Sequence, residues 1–229
     1  MLTEREVLST INMLRSEHLD VRTVTLGINL FDCASHDFDV FELKVRSKIL
    51  KYAKRLVETC NGVGDRYGIP VVNKRIAVSA IGTVCAGFST DQMVRVCHIL
   101  DECAKEVGVD FVGGFGALVE KGMTPGERNL INALPEALAT TDRICSSINV
   151  GSTKSGINMD AVSLMGQKIV ETANATADHR LRQACGVLQH SSGRTVYGGR
   201  LSRCRRTRCG DRRRRLGPRC CQQSPAARH

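Results

Sequence analysis

The chain has 229 residues, enough for one sizeable domain, and a formal charge of +10. That charge sits at one end: from His179 onward the last 51 residues hold 14 arginines, no lysine and one acid, Asp211, while the first 178 hold 19 basic and 22 acidic side chains. The body is therefore mildly acidic, and the excess of basic charge that would suggest nucleic acid or an anionic membrane lies in the tail. No apolar run is long enough to span a bilayer. Met1-Leu2-Thr3-Glu4-Arg5-Glu6 opens a polar amphipathic segment without a secretory signal, so a cytoplasmic protein is expected.

Along the body, strand and helix patterns alternate. Thr3-x-x-Glu6 is a capping-box pattern that opens a helix to about His18. Val24, Leu26, Ile28 and Leu30 alternate with polar or small residues as a strand ending at Asp32-Cys33. Apolar Phe41, Val45, Ile49, Tyr52, Leu56 and Cys60 predict one long helix from Phe38 to Cys60, with Gly62, Gly64, Gly68 and Pro70 marking its end. A second strand is expected over Arg75 to Ile81, then a helix from Ser89-Thr90-Asp91 to a C-terminal cap at Gly108. Val109 to Val112 reads as a third strand stopped by Gly113-Gly114. Thr124-Pro125-Gly126-Glu127 combines an N-cap, a proline at the first helical position and a capping-box glutamate. Ile144 to Val150 is a fourth strand, and a closing helix runs from Asn158 to about Ala175. Repeated strand-then-helix units imply an α/β fold with a mainly parallel sheet and right-handed crossovers. Such a sheet needs both faces covered, or closure into a barrel.

Several groups could carry chemistry at the carboxyl edge of that sheet. Ser152, Thr153 and Lys154, within Gly151 to Gly156, follow a strand and precede a helix; backbone amides, two hydroxyls and an ammonium could hold a phosphate or carboxylate. The lysine precedes the second glycine, so this is not the GxxxxGK[ST] phosphate loop, and a plain strand-to-helix turn is the alternative. Cys33 and Cys85 lie after the first and second strands, where a thiol or radical role is conceivable, but no histidine stands nearby in sequence to activate them. The six body cysteines, which include Cys60, Cys97, Cys103 and Cys145, have no metal-ligand spacing and read as reduced, buried thiols. Asn73-Lys74-Arg75 could meet an anion or form a solvated strand entry, and Gly113-Gly114-Phe115-Gly116 reads as a tight turn. No cofactor, metal or catalytic residue is assigned.

The segments LDVRTVTLGINLFDC (Leu19 to Cys33), RYGIPVVNKRIAVS (Arg66 to Ser79), EVGVDFVGGFGALVEKG (Glu106 to Gly122) and LPEALATTDRICSSINVGSTKSGINMDAV (Leu134 to Val162) resemble an uncharacterised bacterial and archaeal family related in fold to pyruvate formate-lyase and ribonucleotide reductase. The resemblance covers nearly all of 1–178. It implies the front part of a ten-stranded α/β barrel in a chain about twice this length, a homodimer, and no established reaction or glycyl-radical signature.

After Asp178 the resemblance stops, where the family continues with a strand and loop similar to KLVVFxNxPxDxPFMAGA. Codons displaced by one base could spell KLVVFCNIPQDEPFMAGAYLGVGEPDAVI across residues 183 to 212. A one-base shift near codon 179 is therefore expected, which divides the chain into a partial barrel domain over 1–178 and an out-of-frame tail over 179–229. The tail holds few large apolar residues to offset its ordering entropy, so disorder is expected there. Cys204, Cys209, Cys220 and Cys221 only loosely resemble a zinc site, and Arg194 to Gly198 only faintly resembles a glycyl-radical loop. Arg212 to Arg215 would bind nucleic acid nonspecifically by counterion release, with Tyr197 as the lone stacking platform. Three functions compete: a protein of unknown activity binding a small anionic metabolite, a radical or thiol enzyme, and a nonspecific nucleic-acid binder acting through the tail.

Overall fold

Alternating patterns in the sequence become β1 (Val21–Ile28), α1 (Phe38–Ala53), α2 (Leu56–Tyr67), β2 (Val71–Val78), α3 (Ile81–Val84), α4 (Thr90–Val107), β3 (Phe111–Leu118), α5 (Pro125–Thr140), β4 (Ile144–Asn149), β5 (Gly151–Ser152), β6 (Gly156–Ile157), α6 (Met159–Thr176) and β7 (Ala184–Val187). The computed structural model describes Leu8 and residues 21–152, 155–176 and 184–187, the last as backbone. Leu8 is helical, and the rest of the helix expected up to His18 lies outside the described residues.

The main sheet is five-stranded, in the order β1-β2-β3-β4-β7, and every pairing in it is parallel. Parallel strands that follow one another in chain order, joined by right-handed helical crossovers, place their helices on one face. On that face Ile76, Val78, Val112, Phe115, Ile144 and Ile148 share a buried core with Phe41 and Val45 of α1, Leu100 of α4 and Leu130 and Leu134 of α5. The alternate positions Thr23, Thr25, Asn73, Arg75, Cys145 and Ser147 are half-buried and mostly polar. Side chains alternate along a strand, so these residues belong to the other face.

Local signals account for most element ends. Ser89 and Gln92 close a capping box at α4, as Thr124 and Glu127 do at α5, each cap being worth about 1 kcal/mol. Gly68 and Gly108 end α2 and α4 with φ of 65° and 79°, the left-handed region a glycine enters without Cβ strain. Phe88 stacks edge-on to Phe41 at 5.3 Å, which seats α1 against the approach to α4.

Several expectations are corrected: the first strand ends at Ile28, before a helical turn over Phe31–Cys33, and the second spans Val71–Val78, since Ile81 opens α3. The single helix from Phe38 to Cys60 is two helices, broken at Lys54-Arg55, and the second runs through Gly62 and Gly64 to Tyr67. The buried stripe of α1 is Phe38, Phe41, Val45, Ile49 and Ala53; steps of four residues drift about 40° each around a helix, and the break re-aims the chain. The third strand does not stop at Gly113-Gly114 but continues to Leu118, so Gly113 to Gly116 is strand, not a tight turn. Its register against β4 shifts between Gly113 and Phe115, and Gly114 has φ 113°. This bulge inserts one residue and exchanges the faces. It is why Val112, Phe115 and Ala117 all reach the core despite the odd spacing of the first two.

Beyond 178, where the sequence predicts disorder, Ala184–Val187 pairs in parallel with β4, from Ser146↔Ala184 to Asn149↔Val187. A ladder is built from backbone groups, which Ala, Cys, Gly and Val all supply, so a free strand edge can recruit a segment with little apolar content. Residues 188–229 lie outside the described residues.

Candidate functional site at the carboxyl edge of the sheet

Because the strands run the same way, the residues that follow them collect at one edge, the usual place for ligands in α/β folds. After β1, Asn29 Oδ1 accepts from the Phe31 amide at 2.9 Å and from Ser79 Oγ at 3.1 Å. Ser79, just past β2, in turn accepts from the Leu30 amide at 3.1 Å. One asparagine and one serine thus tie the ends of neighbouring strands together.

A second group forms after β3 and β4. The Val119 amide donates to Asn149 O at 2.9 Å, and Asn149 Nδ2 donates to Glu120 Oε2. The side chain of Asn149 is buried and its Oδ1 has no hydrogen-bond partner. Asn158 completes the corner: its Nδ2 donates to Val119 O at 2.7 Å and its amide to Val150 O at 2.9 Å. Its Oδ1 accepts from the Ala161 amide at 3.2 Å, which caps α6.

Of the residues predicted to hold an anion, Ser152 lies in β5, which pairs antiparallel with β6 to form a small hairpin between β4 and α6. Ser152 Oγ accepts from the Ser155 amide at 3.1 Å. Thr153 and Lys154 lie outside the described residues. Asn73, Lys74 and Arg75 are not a strand entry but part of β2. The Lys74 amide donates to Asp110 Oδ2 at 2.7 Å, its carbonyl accepts from the Asp110 amide at 2.9 Å, and Arg75 stacks over the Phe111 ring at 5.1 Å. The tail motifs around Arg194, Cys204, Arg212 and Cys220 lie outside the described residues.

The thiols are poorly suited to nucleophilic work. Cys85 is buried and its thiol is pushed up to about 12 by burial. Cys33, in the short turn of helix after β1, is raised by burial and by the adjacent Asp32 carboxylate. Asp32 is itself held below its ordinary range, against the effect of its partial burial, by Lys48. A thiol raised in the folded chain titrates first in the unfolded one, so this burial stabilises fully below about pH 9 and the benefit fades as pH rises toward 12. Iodoacetamide at pH 8 is accordingly expected to spare Cys33, Cys85 and Cys97 in the folded chain and to label them in urea, as read by peptide mass mapping. Labelling of Cys85 at the rate of a free thiol would return it to candidacy as a nucleophile.

Sequence reasoning missed Asn29, Ser79, Glu120 and Asn149. The visible trace was a polar residue closing each apolar strand, as in Ile148-Asn149 and Val78-Ser79. Among the described residues no group of three His, Cys, Asp or Glu is placed to hold a metal ion, and no helix is long and apolar enough to cross a membrane.

Parallel strands, each handing over to a helix or turn, with hydrogen-bonded polar side chains at the strand ends, define an α/β protein organised around one sheet edge. The chain belongs to the family described as "Uncharacterised ACR (DUF711)", whose model matches residues 12–189. It is 68% identical over 178 residues to a UPF0210 protein of Desulfovibrio desulfuricans, 60% to one of Syntrophobacter fumaroxidans and 51% to one of Methanococcoides burtonii. Each match covers 78% of this chain and 39% of the relative, so the chain spans about two fifths of the length of these curated relatives.

Proposed function

We propose that the carboxyl edge binds a small anionic metabolite, held by Ser152, Thr153 and Lys154. The observation that carries the reading is the position of Ser152. It stands between the end of β4 and the start of α6, an 18-residue helix whose N-terminus Asn158 anchors to Val119 and Val150. The positive end of the helix dipole favours negative charge there. No reaction is assigned to the site. The test is equilibrium dialysis of the chain against small carboxylates and inorganic phosphate. Lys154→Ala is expected to lower retention about tenfold, the loss of one charge-assisted hydrogen bond. No retention by the unsubstituted chain, or equal retention by the variant, defeats the reading.

The same proposal includes a wider frame. The sheet forms the front of a ten-stranded barrel of the pyruvate formate-lyase and ribonucleotide reductase type, in a cytoplasmic homodimer, and the residues after about 178 are out of frame. Two observations support the barrel, helices gathered on one sheet face and relatives much longer than this chain; the shift is supported by displaced codons that could spell LVV where Ala184–Val187 takes the next strand position. The homodimer rests on the resemblance alone. Sequencing the coding DNA across codons 175 to 185 tests the shift; a frame unable to encode the family continuation ends it.

A further inference from the structure

We propose that the sheet face turned away from the helices binds a small carboxylate, held by the guanidinium of Arg75 above Gly113 and beside Cys145. This surface is separate from the Ser152 edge, and the inference does not depend on the reading given for that edge.

Arg75 stands in register between Thr25 of β1 and Phe111 of β3. Its guanidinium lies over the Phe111 ring at 5.1 Å. The ring attracts the charge but supplies no acceptor for the N–H groups, which lie in the guanidinium plane. Nε is buried and has no hydrogen-bond partner. Among the described residues no carboxylate forms an ion pair with Arg75. An arginine cannot shed its proton to escape burial, and buried donors are seldom left unpaired. The side chain is thus fixed by a ring and lacks an acceptor.

Room for one is provided by the next row of the sheet. Two residues further along, Gly27, Ala77, Gly113 and Cys145 stand side by side across four strands. None has a side chain larger than that of cysteine. Residues two apart on a strand share a face, so Arg75 borders this low strip. Cys145 is close enough for the Arg75 charge to oppose the rise that burial gives its thiol. Thr23, Thr25, Asn73 and Ser147, the other alternate positions, carry no charge, so one guanidinium matches one negative charge. A carboxylate meets that condition, and its two oxygens are spaced to receive Nε–H and a neighbouring Nη–H together. A phosphate dianion would bring charge for which these positions offer no second cation.

The experiment follows alkylation of Cys145 by iodoacetamide in the 229-residue chain, read by peptide mass mapping. Acetate, benzoate, inorganic phosphate and the neutral acetamide and benzamide are added in turn. At least one of the two carboxylates should slow the reaction about tenfold at saturation, while its amide changes it less than twofold. Arg75→Lys keeps the charge and loses the fork, and should raise the acid concentration needed about tenfold. Arg75→Gln should abolish the protection. Cys85 and Cys97 staying unlabelled shows that a variant is folded; if one unfolds, the comparison of acid with amide in the unsubstituted chain decides. Four results overturn the proposal: no slowing by either carboxylate, equal slowing by the amides, stronger slowing by phosphate, or slowing that survives Arg75→Gln in a folded chain. A Cys145 that resists alkylation with no acid present also overturns it, because the strip would be closed. Each of these leaves the Ser152 reading to its own dialysis test.

Discussion

Gly116→Ala is expected to lower stability by about 3 kcal/mol, the cost of overpacking where the neighbours cannot yield. A methyl at this position would lie 2.1 Å from the backbone oxygen of Ser147. Ser147 is the register partner of Gly116, so relief would require β3 and β4 to part where they are laddered together. Gly27 in β1 is the matched control, because a methyl there meets nothing within 4 Å. Gly27→Ala should be neutral or stabilise by about 0.5 kcal/mol through the unfolded chain. Urea midpoints of the two variants decide the matter; similar midpoints would mean that the strand contact is looser than described.

Asp101→Ala is the second large effect expected, about 3 kcal/mol, because it leaves two main-chain donors without their acceptor. Asp101, in α4, is buried and accepts from the Asp142 amide at 3.1 Å and the Arg143 amide at 2.7 Å, which anchors the start of β4 to the helix. Arg143 extends the same junction by donating to Ala104 O at 3.1 Å and Val109 O at 2.9 Å. Lys105 also touches Asp101, at 2.7 Å, but its side chain is largely exposed and water screens the pair. Lys105→Ala should therefore shift the urea midpoint little. Hydrogen exchange at the Arg143 amide gives an independent readout: it should quicken in Asp101→Ala and stay slow in Lys105→Ala. Equal effects of the two substitutions would assign the stabilisation to the ion pair and not to the backbone anchor.

Features that depend on a few neighbouring residues were legible in the sequence. The capping boxes at Ser89 and Thr124 and the glycine cap at Gly108 each act within a single turn. The order of strands and helices was legible for the same reason, since each element carries its own periodicity. The break at Lys54-Arg55 and the bulge at Gly114 were not, because their causes lie in other elements. At Gly114 a methyl would lie 2.4 Å from Val78 O, a neighbour known only once β2 and β3 are paired. The site divides in the same way. Ser152, Thr153 and Lys154 advertise themselves as a run of donors after a strand. Glu120 and Asn149 meet across 29 positions, and neither residue taken alone announces an unpaired oxygen.

The face of the sheet turned away from the helices has a consequence for whatever lies over it. Arg75 stands there with a buried Nε that has no partner, among Thr25, Asn73 and Ser147. An oily seal over such a surface would strand a charge and a row of hydroxyls and amides at a cost of several kcal/mol. Whatever packs on that side must therefore be hydrophilic, or must trap ordered solvent against the strands, so that the polar side chains of this face stay wet.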